Sequence, residues 1–220
     1  MINFILIIVE VIVSYLSLLL LNKKYKNDGI YYFAIIATFM SCILSLKQIS
    51  IMNVNVPVGF AITTSIVIGA NLLCQQNGKE EIKKYLLTIM ITIIICYCFL
   101  SLTCLIASSE YNILSNKSFD SIFNHNTRIY LALLFSLLVS IYLDGELYYV
   151  IKKLQNKIIY SNIFSIIIVE FFENIIFVLI AYLFNYTGLE LMLCIIFRYI
   201  IKTTIGIIGT IPLYILNRNK

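Results

Sequence analysis

The sequence predicts an all-α fold: a polytopic membrane helix bundle of six core transmembrane helices plus one N-terminal helix, with almost nothing of the chain in water. Three observations carry this. Hydrophobic residues make up 61% of the 220 residues and charged ones 12%, at a mean hydropathy of +0.96, against roughly 45–50% apolar and ~25% charged usage in a soluble domain. Runs such as Ile2 to Leu21 and Tyr85 to Ala107 approach or exceed the ~20 apolar residues that cross a ~30 Å hydrocarbon layer. Backbone groups in lipid must be paired within their own segment, so these runs are helices.

Seven spans follow, at 2–22, 31–50, 57–75, 85–107, 128–147, 162–184 and 189–216. The first lacks a basic leader and a small-residue cleavage site and is followed by Lys23 and Lys24, so it reads as a retained helix. Pro57 is expected to open the third span, where its missing N–H does no harm, and Pro212 to bend the seventh. The connections are short except for Ser108 to Thr127, a polar stretch with room for a surface helix around Lys117 to Phe123. The whole of 1–220 is read as one integral membrane domain. No Gly-rich phosphate loop, sustained heptad or low-complexity tract is present.

Lysine placement orients the bundle. Lys23, Lys24, Lys26, Lys79, Lys83, Lys84, Lys152, Lys153, Lys157, Arg218 and Lys220, eleven of sixteen basic residues, fall on one side if seven helices start from outside. This predicts an outside N-terminus and a cytoplasmic C-terminus. The net charge of +5 then faces an anionic leaflet and calls for no nucleic acid. Cys42, Cys74, Cys96, Cys98, Cys104 and Cys194 lie in the spans as small apolar residues, and the single histidine, His125, sits in a loop, so neither a metal nor another cofactor is expected.

Polar groups inside the spans carry the functional information, because each costs free energy in hydrocarbon and needs a partner or water. Asn71 and Gln75 share a face of the third span, Glu170 and Glu173 a face of the sixth, and Arg198 and Lys202 a face of the seventh. Asp144 closes the fifth, and Glu10 lies midway along the first. The carboxylates and cations either neutralise each other as structural glue or form a site, and Lys202 is the natural internal counter-ion. Ala61, Ser65 and Gly69 on the third span and Gly206 with Thr210 on the seventh mark close helix approach.

The order of these residues resembles the queuosine precursor transporters, also called the vitamin uptake transporter family. The stretch Leu46-Lys47, then Gly59, then Asn71 to Glu80 is similar to the family's leucine-lysine pair, later glycine, and acidic pair four apart followed by tyrosine-glycine-lysine. Further matches keep the spacing: Arg128 to Asp144, Ser165 to Glu173 and Phe177, and Lys202 to Pro212 with Tyr214. The chain departs from the family where Asn71 and Gln75 replace the usual Asp and Glu, and where Glu170 and Glu173 replace Gln and Asp. Cys42, Leu44, Phe60 and Ile141 also stand where polar amides are common.

The resemblance implies import of a 7-deazaguanine-type base such as preQ0, preQ1 or queuine across a bacterial inner membrane, by a protein that is not an enzyme. A carboxylate can accept the paired donors of such a base, and an amide can donate to its carbonyl edge. Glu170 or Glu173 suits the first role and Asn71 or Gln75 the second, with Lys202 as counter-ion and Phe60, Phe177 and Tyr199 as stacking candidates in a pocket between the third, sixth and seventh spans. The alternatives are a changed small heterocyclic cargo, or a substrate-binding subunit of an energy-coupling-factor-type importer with a separate ATPase module as partner.

The topology has a direct check. In a cysteine-free background, thiols introduced near Lys153 should label only from the cytoplasm and those near Asn116 only from outside. Labelling of both from one side would break the seven-span count.

Overall fold

The computed structural model describes residues 2–51, 54–106, 113–123, 126–155 and 157–218; His125 lies outside them. The order is α1 (Ile2–Leu44), β1 (Gln48–Ile51), β2 (Val54–Pro57), α2 (Phe60–Asn77), α3 (Glu80–Leu105), α4 (Ile113–Phe123), α5 (Thr127–Gln155), α6 (Ile158–Tyr182), α7 (Gly188–Ile208) and α8 (Thr210–Arg218). The architecture is the expected helical bundle, with five helices among the described residues long and apolar enough to cross a membrane.

The first two expected spans are the arms of α1, which breaks at Lys26 (φ 54°, ψ −130°). The Asn22 amide donates to the Lys26 carbonyl at 3.0 Å, and Gly29 lets the second arm turn back against the Leu21 carbonyl, where a Cβ would collide. Tyr15 on the first arm reaches the Ile205 carbonyl at 2.8 Å. The second arm crosses α2 where Ile30 meets Gly69 and ends with Leu44 beside Gly59.

Two boundaries differ from the sequence reading. The second span stops at Leu44 instead of residue 50, and Pro57 ends β2 instead of opening a helix. β1 and β2 pair antiparallel, with Ile49 opposite Val56 and Ile51 opposite Val54. Their Ile-Ser-Ile and Val-Asn-Val alternation is strand periodicity that a hydropathy window averages into a helix. Gly59 at φ 91° then starts α2, in the left-handed region that favours glycine.

The polar helix α2 is the core of the bundle. From Phe60 to Cys74 every residue except Ile62 is buried; its hydroxyls and amides keep it out of the helices apolar enough to span alone, and its neighbours shield it from lipid. The Tyr85 hydroxyl donates to the Ile66 carbonyl at 2.8 Å through the space left by Gly69. The expected surface helix is α4, slightly longer than foreseen.

The seventh span is two helices. Thr187 and Glu190 form a reciprocal cap at the start of α7. Pro212 cannot accommodate the carbonyl four residues back, at Ile208, and α7 ends there, with Gly209 as the joint before α8. At Gly209 a Cβ would stand 2.7 Å from Ile68 Cγ1 and 2.5 Å from the Tyr15 hydroxyl.

Replacing Gly29 by Ala should lower stability by about 1–3 kcal/mol, the usual cost of overpacking. Gly188→Ala, where a Cβ meets nothing within 4 Å, should be nearly silent. Equal melting temperatures for both variants in detergent would refute the tight α1 turn.

Candidate functional site

One buried face of α6 carries Asn162, Ser165, Glu170, Glu173, Asn174 and Phe177. It meets Arg198 and Lys202 of α7, also buried. Lys202 Nζ lies 2.9 Å from Glu170 Oε2 and 2.7 Å from Glu173 Oε2. Arg198 places Nη2 3.5 Å from Glu173 Oε1, donates from Nε to Asn174 Oδ1 at 2.9 Å, and stacks its guanidinium 4.0 Å from the centre of the Phe177 ring. Asn174 in turn donates to the Glu170 carbonyl at 2.6 Å, and Ser136 of α5 adjoins Glu173.

Two cations and two anions therefore sum to zero, with none of the four more than 3% exposed. Geometry favours ion pairing over directed hydrogen bonding at Lys202, whose Nζ meets both carboxylates off the bonding direction, and Glu170 Oε1 has no hydrogen-bond partner among the described residues. A lysine at a helix centre costs ~2.5–3.5 kcal/mol on insertion scales, so the two glutamates are what permits it.

A second buried centre lies toward the α1 bend. Asn71 Nδ2 donates to Asp144 Oδ2 at 2.5 Å and to Asn162 Oδ1 at 3.0 Å, and Asn162 Nδ2 donates to Thr210 Oγ1 at 2.8 Å. Four residues further along each helix, the Tyr148 hydroxyl donates to Gln75 Oε1 at 3.3 Å. Beyond them a cleft of about 590 Å³ opens between Asn22, Lys23, Lys26, Asn27, Gln76 and Asn77.

The residues expected to form one pocket thus divide. Glu170, Glu173, Lys202 and Phe177 come together, and Asn71 forms the second centre with Asp144. Gln75 stands one turn beyond. Phe60 is buried near the opposite end of α2, where its carbonyl accepts from Thr63 and Thr64. Tyr199 turns away from the cluster, against Phe171 and the Ile167 carbonyl. Lys202, the expected internal counter-ion, pairs with Glu170 and Glu173, while Asp144 takes the Asn71 amide. Asn162 and Asn174 went unnoticed in the sequence, although both fall on the helical stripe that holds the two glutamates.

Residues 57–216 match the model of a family described as "Putative vitamin uptake transporter". The match covers well over half of the chain and begins after α1. No curated protein and no solved structure matches.

Lys202→Met should leave this cluster with one uncompensated buried carboxylate and cost about 3–5 kcal/mol. Combining it with Glu170→Gln or Glu173→Gln should recover part of that loss, while combination with Asp144→Asn should be additive. Thermal unfolding of the purified variants measures all three cycles, and coupling only to Asp144 would contradict the geometry.

Proposed function

The chain belongs to the vitamin uptake transporter family, and on that premise we propose that it imports a queuosine precursor, a 7-deazaguanine-type base, across the bacterial inner membrane with its N-terminus outside. As a multi-pass membrane protein of a transporter family, its chemistry is recognition and release. The observation that carries the cargo reading is a pair of carboxylates buried one helical turn apart on α6, each held by a side-chain cation of α7.

A guanine-like base offers an N–H beside an exocyclic amine, which one carboxylate accepts as a paired set. Binding then exchanges an internal cation for the donors of the base, and the freed charge finds the second glutamate. Phe177, capped on one side by Arg198, is the aromatic of the expected set that lies beside these carboxylates. Asn71 and Gln75 sit nearer the cleft end and meet the cargo along its path. A site that hydrogen-bonds particular ligand groups rejects analogues strongly, since they leave buried polar atoms unpaired. The purine-like base and the bilayer are then the partners, and the bundle acts without an ATPase module.

Glu→Gln at whichever of 170 and 173 faces the cargo replaces an acceptor oxygen by a donor. A charge-assisted hydrogen bond contributes ~1.5–3 kcal/mol, so affinity should fall roughly ten- to a hundredfold, against a smaller loss for Asn71→Ala or Gln75→Ala, where a neutral bond contributes ~0.5–1.5 kcal/mol. Uptake by a queuosine-auxotrophic strain measures this. Unchanged uptake in both Glu→Gln variants at normal expression would remove the pair from the site. No uptake by the unmutated chain would point to another cargo or a missing subunit.

A further inference from the structure

We infer that Asp144 is a proton-binding carboxyl through which the bundle couples cargo movement to a proton gradient, an inference that rests on the transporter reading. Asp144 has no solvent exposure, and no cation lies within ion-pair distance of it among the described residues. The tetrad on α6 and α7 is neutral in itself, so it has no positive charge left over for α5. An ionised carboxylate in hydrocarbon without a cation costs far more than the same group carrying a proton.

The groups facing Asp144 do not supply a cation. From α2 come Asn71, whose amide donates to Oδ2, and the Cys74 thiol. From α3, Ile82 packs on the adjoining Gly145. From α6 come Asn162, the Ser165 hydroxyl and the like charge of Glu170, and from α8 the Thr210 hydroxyl reaches the same centre through Asn162. On α5 itself, Tyr148 lies one turn away. Lys79, Glu146 and Lys152 gather near Cys74, with Lys79 and Glu146 paired to each other at 3.6 Å. Asp144 Oδ1 and Asn71 Oδ1 are both buried without hydrogen-bond partners among the described residues.

Access is also built in. Gln75 and Tyr148, bonded to each other, stand one turn from Asp144, about 6 Å along the helix axes, toward the end where Gln76 and Asn77 line the large cleft. Opened to the outer face, past Glu170, the Asp144 carboxylate takes up a proton and becomes the acid. Opening to the cleft, which lies on the lysine-rich cytoplasmic side, releases that proton inward by this polar step. A bound proton removes the repulsion between Asp144 and Glu170, which ties protonation to the state of the glutamates that hold cargo.

The chain has three aspartates, Asp28, Asp120 and Asp144, and the first two are exposed or half-buried. Protein carrying a ¹³C-labelled aspartate side-chain carboxyl, reconstituted in nanodiscs, is examined by isotope-edited infrared spectroscopy over a pH series. A protonated-acid band at neutral pH, absent from Asp144→Asn, is expected. Should that variant fail to fold, the Asp28→Asn/Asp120→Asn double variant keeps the band on Asp144 alone. Only ionised aspartate at neutral pH overturns the proposal.

This measurement needs no cargo, so its failure is separate from that of the import reading. In proteoliposomes, an imposed proton gradient should drive accumulation of a deazaguanine several-fold above equilibrium, with accumulation lost in Asp144→Asn and partly kept in Asp144→Glu. Accumulation driven by sodium and indifferent to the proton gradient would overturn the coupling even if the acid band is seen.

Discussion

Everything inside this bundle answers to one constraint: Lys202 and Arg198 sit in the middle of an apolar helix and must be neutralised there. Glu170 and Glu173 do this from the next helix, at 2.7–3.5 Å, and so fix the rotation and axial register of α6 against α7. A shift by one residue would turn these carboxylates toward lipid. Losing one partner of such a pair is far more costly than never having had the pair, so four side chains specify the packing of two helices more tightly than their leucines and isoleucines can.

The same constraint explains the place of α2. A helix that carries Thr63, Thr64, Ser65, Asn71 and Gln75 cannot face hydrocarbon, and it is enclosed by α1, α3, α5 and α7. Its hydroxyls bond back to its own carbonyls, and its one interior amide spans to α5 and α6. Small residues let the neighbours close in: Gly69 admits the Tyr85 hydroxyl, and Gly206 admits Ile166 and Thr64. Polar content in the centre and apolar content outside invert the arrangement of a soluble protein while keeping each buried polar group near another.

Much of this was legible in the sequence because hydropathy and charge act locally. The helical runs, the surface helix α4, the bend ahead of Pro212 and the role of Lys202 as an internal counter-ion all follow from residue type and spacing. The pairing of β1 with β2 did not, since a short alternating stretch beside a long apolar run is averaged away, and strand pairing is a contact between segments. Nor did the division of the polar residues into two centres. Asn71 and Glu170 are both embedded and both helix-facing, and only the three-dimensional rotation of α2 against α5 shows that Asn71 turns to Asp144. Tyr199 illustrates the reverse error: it stands next to Arg198 in sequence, yet one position along a helix is a rotation of about 100°, enough to aim it at the far side.

The fold of α1 carries a consequence for how such a chain can be lengthened. Its first arm passes Ile205 at Tyr15 and turns at Lys26 near the α2–α3 junction, and its second arm returns to Gly59. Both ends of the helix therefore belong to the same face of the bundle. An addition that goes and comes back is neutral in parity: it leaves every later helix entering from the side it would have used without it. Residues 57–216, the part that matches the family model, can thus keep one handedness relative to the membrane whether or not such a folded-back pair precedes them.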